Sequence, residues 1–171
     1  MPADKANASQ TPYSTLSLCL GYLGLIPFFI PLIEMIEAVS VGVGIHGSSI
    51  YGLYAPYVFI AYSAVILSFL SGVLWSKGRF NLDSRTSRVA IIFSNLVALS
   101  AWTSLIIINI SSMLTMFAVA LLLSGYGSLL LAERSLDVDS GDSRYWRMRL
   151  VLTMLVIATH SVVLVFLIRE F

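Results

Sequence analysis

The chain has 171 residues, 58% of them hydrophobic and only 11% charged, with a mean hydropathy of +0.90. Soluble domains carry roughly 25% charged residues, so this composition excludes a water-soluble globule, and with a net charge of +1 nothing in it points to nucleic acid. A single cysteine, Cys19, rules out an intrachain disulfide framework and a cysteine-only metal site.

Residues 1–13 form a polar tail, expected to be disordered. The rest reads as one all-α domain, residues 14–171, a bundle of five transmembrane helices. A hydrocarbon core of ~30 Å needs about 20 apolar helical residues. Five runs meet that length: Thr15–Ile36, Leu53–Trp75, Val89–Ile110, Met113–Ala132 and Met148–Ile168. Only Asn109–Ser112 parts the third and fourth, which predicts a tight antiparallel pair.

The first span is the unusual one. It holds Gly21, Gly24, Pro27 and Pro31. A proline lacks an N–H and clashes with the carbonyl four residues earlier. Pro27 therefore frees the carbonyl of Leu23, and Pro31 that of Pro27. A kinked or locally opened helix is expected, with hydroxyls or water meeting the freed carbonyls. Broken helices line binding sites in transporters, so Pro27 and Pro31 are candidate ligand-site residues. The run is too long and too proline-rich for a cleaved leader. The loop after it, Val39–Gly52, has four glycines and no Lys or Arg. It is expected to be mobile.

Orientation follows from the short loops. Lys5, Lys77, Arg79, Arg85, Arg88, Arg134, Arg144, Arg147 and Arg149 fall on one side and only Arg169 on the other. This predicts the N-terminus inside and the C-terminus outside. Arg144, Tyr145, Trp146, Arg147 and Arg149 form a basic-aromatic cluster suited to the lipid-headgroup interface, or to a docking partner.

Helices in lipid gain little from apolar burial, so small residues that permit close approach carry the packing signal. Besides Gly21 and Gly24, strips spaced four apart occur on three spans. They are Ala64, Ser68, Gly72 and Ser76; Ala90, Ser94 and Ala98; and Ala120, Ser124, Ser128 and Ala132. Such strips serve bundle packing or dimerisation, and Asn95 is placed to hydrogen-bond across helices or to a ligand.

Ionisable residues inside the spans are the default functional candidates. Two stand out, Glu34 near the outer end of span one and His160 past the middle of span five. Both fall in the outer half, so a histidine–carboxylate pair able to carry a proton is one expectation. The other is that Glu34 reaches interfacial water and His160 bonds a neighbouring helix. Glu34, Glu37, His46 and His160 lack the spacing of a metal site. Asp137–Asp142 resembles a calcium loop, but its glycine is misplaced and Met148 stands where a glutamate is needed. Neither a metal nor a cofactor is expected.

Three segments carry a family resemblance: Gly21–Phe28, then Ala61–Gly72 followed by Trp75, and Tyr145–Leu150 leading into Thr153. In this order they are similar to the signatures of the DUF3429 family, which takes in transmembrane protein 69-like proteins. Ser71 and Ser76 stand where that family usually has glycine. The resemblance spans nearly the whole chain and implies a small multi-pass protein of bacterial inner or mitochondrial membranes, without a mechanism.

The reading is a non-enzymatic inner-membrane protein, in the plasma membrane of a bacterium, that binds lipid or a small apolar molecule or assists a membrane complex. Membrane lipids are the expected partners, with a membrane protein or a second copy as further candidates. The alternative is a small transporter or proton-coupled carrier using Glu34 and His160 beside the broken helix.

Overall fold

A computed structural model describes residues 12–80, 83–135 and 143–170. The polar tail before residue 12 and the Asp137–Asp142 segment lie outside the described residues. Six α-helices follow one another: α1 (Pro12–Leu23), α2 (Ile26–Ser40), α3 (Ala55–Phe80), α4 (Ser84–Ile110), α5 (Thr115–Ser135) and α6 (Ser143–Arg169). A two-stranded hairpin, β1 (Ser49–Ile50) and β2 (Leu53–Tyr54), joins α2 to α3. Among the described residues, five segments are long and apolar enough to cross a membrane: Leu18–Ser40, Ala55–Phe80, Arg85–Ile110, Ser112–Ser135 and Trp146–Arg169. All five expected spans are present. Several continue past their apolar runs at the end carrying Lys77, Arg79 and Arg134, because long basic side chains bury their stems and keep their heads in the polar zone. That end is called the basic end below, and the other the hairpin end.

The first span is two helices. Gly24 and Leu25 form a turn between α1 and α2. The Leu25 N–H bonds to Tyr22 O, and the Phe28 N–H to Leu25 O, each three residues back instead of four. Gly24 O is thereby released, and the Tyr62 hydroxyl of α3 donates to it at 2.8 Å. The sequence placed the freed carbonyls at Leu23 and Pro27; the one met by a hydroxyl is that of Gly24. Pro27 occupies the first turn of α2, where its missing N–H costs nothing. Pro31 is buried inside α2, which continues through it.

Helix α3 is central and packs on α2, α4 and α5, while α6 packs on α5, α2 and α1. The core holds Phe28, Met35, Phe59, Ile60, Leu67, Leu122 and Tyr126, each fully buried. The close approach of α5 to α3 falls at Gly125, where a Cβ would stand 2.6 Å from Leu67 Cδ2. Gly78 brings α3 against α4, with Ala90 Cβ 3.1 Å from its notional Cβ. Helix α4 begins on Asp83, whose carboxylate accepts the Arg85 and Thr86 amides at 2.9 and 3.0 Å. Bonds from the Thr86 amide and hydroxyl, then from the Arg85 amide, hold the Asp83 carboxyl below its ordinary value.

The glycine-rich loop expected to be mobile has a defined structure. Ser49 pairs with Tyr54 and Ile50 with Leu53. The two turn residues, Tyr51 and Gly52, have φ of 49° and 81°, the backbone twist that suits a tight hairpin. Ile45 and Ser48 are buried beneath it. The carboxylate of Glu170, just past α6, accepts the Ile45 amide.

Candidate functional site

His160 of α6 is completely buried. Its ring sits among Phe28, Phe59 and Tyr126, with centroid separations of 5.9, 4.7 and 5.3 Å. Nδ1 lies 2.8 Å from Val156 O, one turn back on its own helix. A carbonyl can only accept, so Nδ1 carries the proton and Nε2 of the neutral ring is an acceptor. Ser63 Oγ of α3 lies 2.7 Å from Nε2 and donates to it. The Tyr126 hydroxyl of α5 donates in turn to Ser63 O at 2.9 Å. Three helices are thus cross-linked by polar groups that satisfy one another inside an aromatic shell.

Glu34 takes no part. It is exposed on α2 and makes no hydrogen bond or ion pair among the described residues, so the histidine–carboxylate pair considered from the sequence does not form. Glu34 points away from the bundle because Met35 and Leu32 occupy the inward face of α2. Among the described residues no group of three or more His, Cys, Asp or Glu side chains gathers to hold a metal.

An ionisable pair buried inside the bundle carries no signal in the sequence spacing. Arg149 of α6 donates to both carboxylate oxygens of Glu133 on α5, from Nη2 at 2.9 Å and Nε at 3.2 Å. The two side chains are only 7% and 5% exposed. Arg149 therefore leaves the interfacial cluster in which its neighbours placed it. Trp146 is half-buried and Arg147 exposed, whereas the side chains of Arg144 and Tyr145 lie outside the described residues.

Other candidates also turn outward. Asn95 is exposed and donates to Ile91 O on its own helix, so it bridges no helices. Gly72 and Ser124 are exposed, and nothing lies within 4 Å of a Cβ built at Gly72. Ala64 is buried, while Ser68 and Ser128 are half-buried. Ser128 bonds back to Gly125 O. Gly21 faces α6, where a Cβ would stand 3.0 Å from Leu152 Cδ1 and 3.3 Å from Met148 Sδ.

Beside the break in the first span lies a cavity of about 360 Å³. Helix α1 leans on α6, α2 lies on α3, and the space left between α1, α3 and α6 is lined chiefly by apolar side chains, among them Phe28, Leu70 and Leu152. Gly21 and Gly24 form part of its wall. Its polar lining comes from Tyr126, Arg149 and Thr153. Leu20 and Phe69, both largely exposed, flank its mouth, so it opens sideways, toward lipid.

At the hairpin end, burial pushes the Tyr54 phenol up, with the Thr115 hydroxyl opposing and the Glu170 charge adding to the rise. The phenol keeps its proton and lies 2.6 Å from His46 Nδ1 and 3.5 Å from Thr115 Oγ1. This chain ties the hairpin to the start of α5.

Among the described residues, five helical segments long and apolar enough to cross a membrane define a multi-pass membrane protein. The particular family follows from a match of residues 13–165 to the family model described as protein of unknown function (DUF3429), and the chain belongs to that family. No curated protein and no solved structure matches it.

Proposed function

We propose that this protein holds a lipid or small apolar molecule in the lateral cavity between α1, α3 and α6, and that it does so without catalysing a reaction, in the inner membrane with its basic end toward the cytoplasm. The observation that carries this reading is the cavity itself. Its volume of about 360 Å³ falls within the ~300–1,000 Å³ of small-molecule sites, and its mouth faces the lipid from which such a molecule would enter. The break at Gly24–Leu25, held open by Tyr62, keeps α1 from closing over it. A binding role is favoured over a hydrolytic one because Ser63 and His160, the one nucleophile–base geometry in the core among the described residues, are enclosed by Phe28, Phe59 and Tyr126. The carrier alternative built on Glu34 and His160 gains no support, since the two residues do not meet.

Native mass spectrometry of protein extracted in mild detergent tests the reading. A retained lipid-sized mass is expected, and it is lost from the cavity-filling variant Leu70→Trp. A bare chain in both proteins, or a mass retained equally by both, would overturn it.

A further inference from the structure

The cavity is not uniformly apolar: Arg149 and Thr153 sit at one end, while the Tyr126 hydroxyl, toward the middle of the span, already donates to Ser63 O. On α6, which runs from the basic end toward the hairpin end, the lining residues extend from Arg149 through Thr153 to Val156. On the antiparallel α3 they extend from Val73 to Ile66. Seven residues of rise make the slot about 10 Å long. Arg149 marks its basic end, and apolar side chains with the Tyr126 ring line the stretch toward the middle of the span.

Two groups at that basic end are short of acceptors. A guanidinium has five N–H donors, and the pair with Glu133 uses Nε and one Nη2 hydrogen, leaving the Nη1 edge without an acceptor among the described residues. Thr153, one turn above Arg149 on the same helix face, is 5% exposed, and its hydroxyl has no hydrogen-bond partner among the described residues. Helical threonines commonly bond back to a carbonyl four residues earlier, and this one does not. A buried donor without an acceptor is costly, and here two converge on one end of a hydrophobic slot.

Resting on the binding role proposed above, we infer that the occupant is an amphiphile with one hydrocarbon chain and a monoanionic carboxylate head. The carboxylate accepts from Arg149 Nη1 and from the Thr153 hydroxyl, at the depth of the basic end. The chain runs along α3 and α6 toward Phe28. A carboxylate is favoured over a phosphate because Glu133 already neutralises the guanidinium. One further negative charge shared between Glu133 and the ligand is tolerable there, and a dianion less so.

The test is equilibrium binding of radiolabelled palmitate to the full chain in maltoside micelles, with hexadecanol and palmitoyl lysophosphatidate as competitors. Hexadecanol, which has the same chain and a neutral head, is expected to compete about tenfold more weakly than unlabelled palmitate. Thr153→Val is expected to lower palmitate affinity several-fold and leave hexadecanol unchanged. Arg149→Ala would strand Glu133, so the charge is removed with Glu133→Gln and Arg149→Gln together, which keeps an amide pair and erases the preference for palmitate. Equal competition by palmitate and hexadecanol in the wild type overturns the head-group assignment, and loss of both in Leu70→Trp would then leave the cavity reading standing. Lysophosphatidate winning over palmitate overturns the carboxylate. Absence of saturable binding, or binding untouched by Leu70→Trp, removes the cavity reading as well.

Discussion

The Tyr62 hydroxyl of α3 reaches the carbonyl of Gly24, the residue at which the first span breaks, at 2.8 Å. One hydrogen bond from a neighbouring helix thus substitutes for the intrahelical bond that the break removes. Tyr62→Phe takes away the donor and leaves the carbonyl beside apolar side chains. We expect a loss of about 1 kcal/mol in thermal or denaturant unfolding in detergent, with faster amide exchange confined to residues 24–29. Uniform exchange changes across the bundle would contradict this.

Gly125 meets Leu67 with no room for a methyl group. Leu67 is fully buried, so its side chain has little freedom to withdraw. Gly125→Ala is expected to destabilise by about 1–3 kcal/mol, although alanine is the better helix former. Combined with Leu67→Ala, the double variant should lose less than the sum of the two single losses, giving a favourable interaction energy in the double-mutant cycle. Simple additivity would show that the contact is not the cause.

Breaking the Glu133–Arg149 pair from one side should be far worse than removing both charges. Arg149→Met leaves a buried carboxylate with no cation, and a loss of about 3–5 kcal/mol is expected. Glu133→Leu combined with Arg149→Met should be much milder, because no charge is then stranded. Comparing the two unfolding midpoints in detergent decides the matter.

Asp83 gives a pH dependence with a definite sign. Its carboxyl lies below its ordinary value of 3.8 when folded, so the contribution of the cap is complete above that value. It is lost as pH falls through the depressed folded value. Amide exchange at Arg85 and Thr86, corrected for intrinsic rates, should therefore lose protection only below about pH 4. In Asp83→Asn, which still caps but does not titrate, the step should vanish.

The spans were legible because the bilayer sets a length and a polarity that any sequence can be measured against. What lay inside them was not. In lipid the outward face of a helix is as apolar as the inward one, so hydropathy cannot say which face packs. The strip through Ser124 therefore looked as good as the neighbouring face, yet one residue is 100° of helix turn, and it is Gly125 that meets α3. The prolines pointed to a disturbed first span, but the break falls at Gly24–Leu25, where Tyr62 can reach. Glu133 lies just past Ala132, where the fourth span is expected to end, and Arg149 read as interface. Their pairing depends on two helices joined through a linker, which spacing does not reveal. His160 was visible as an ionisable group in an apolar run, but Ser63 and Tyr126, its neighbours in space, carry no signal of their own.

The clasp between Glu170 and the Ile45 amide joins groups 125 residues apart in the chain. A ribosome adding ~5–20 residues per second makes the second partner on the order of ten seconds after the first. During that interval the segment leading into the hairpin has already been translated but lacks its anchor. The hairpin end is therefore completed only after α6 has been inserted and the Glu170 carboxylate arrives beside it. Until α6 arrives, any quality-control factor that samples unfinished chains would find the Ile45 amide still unclaimed.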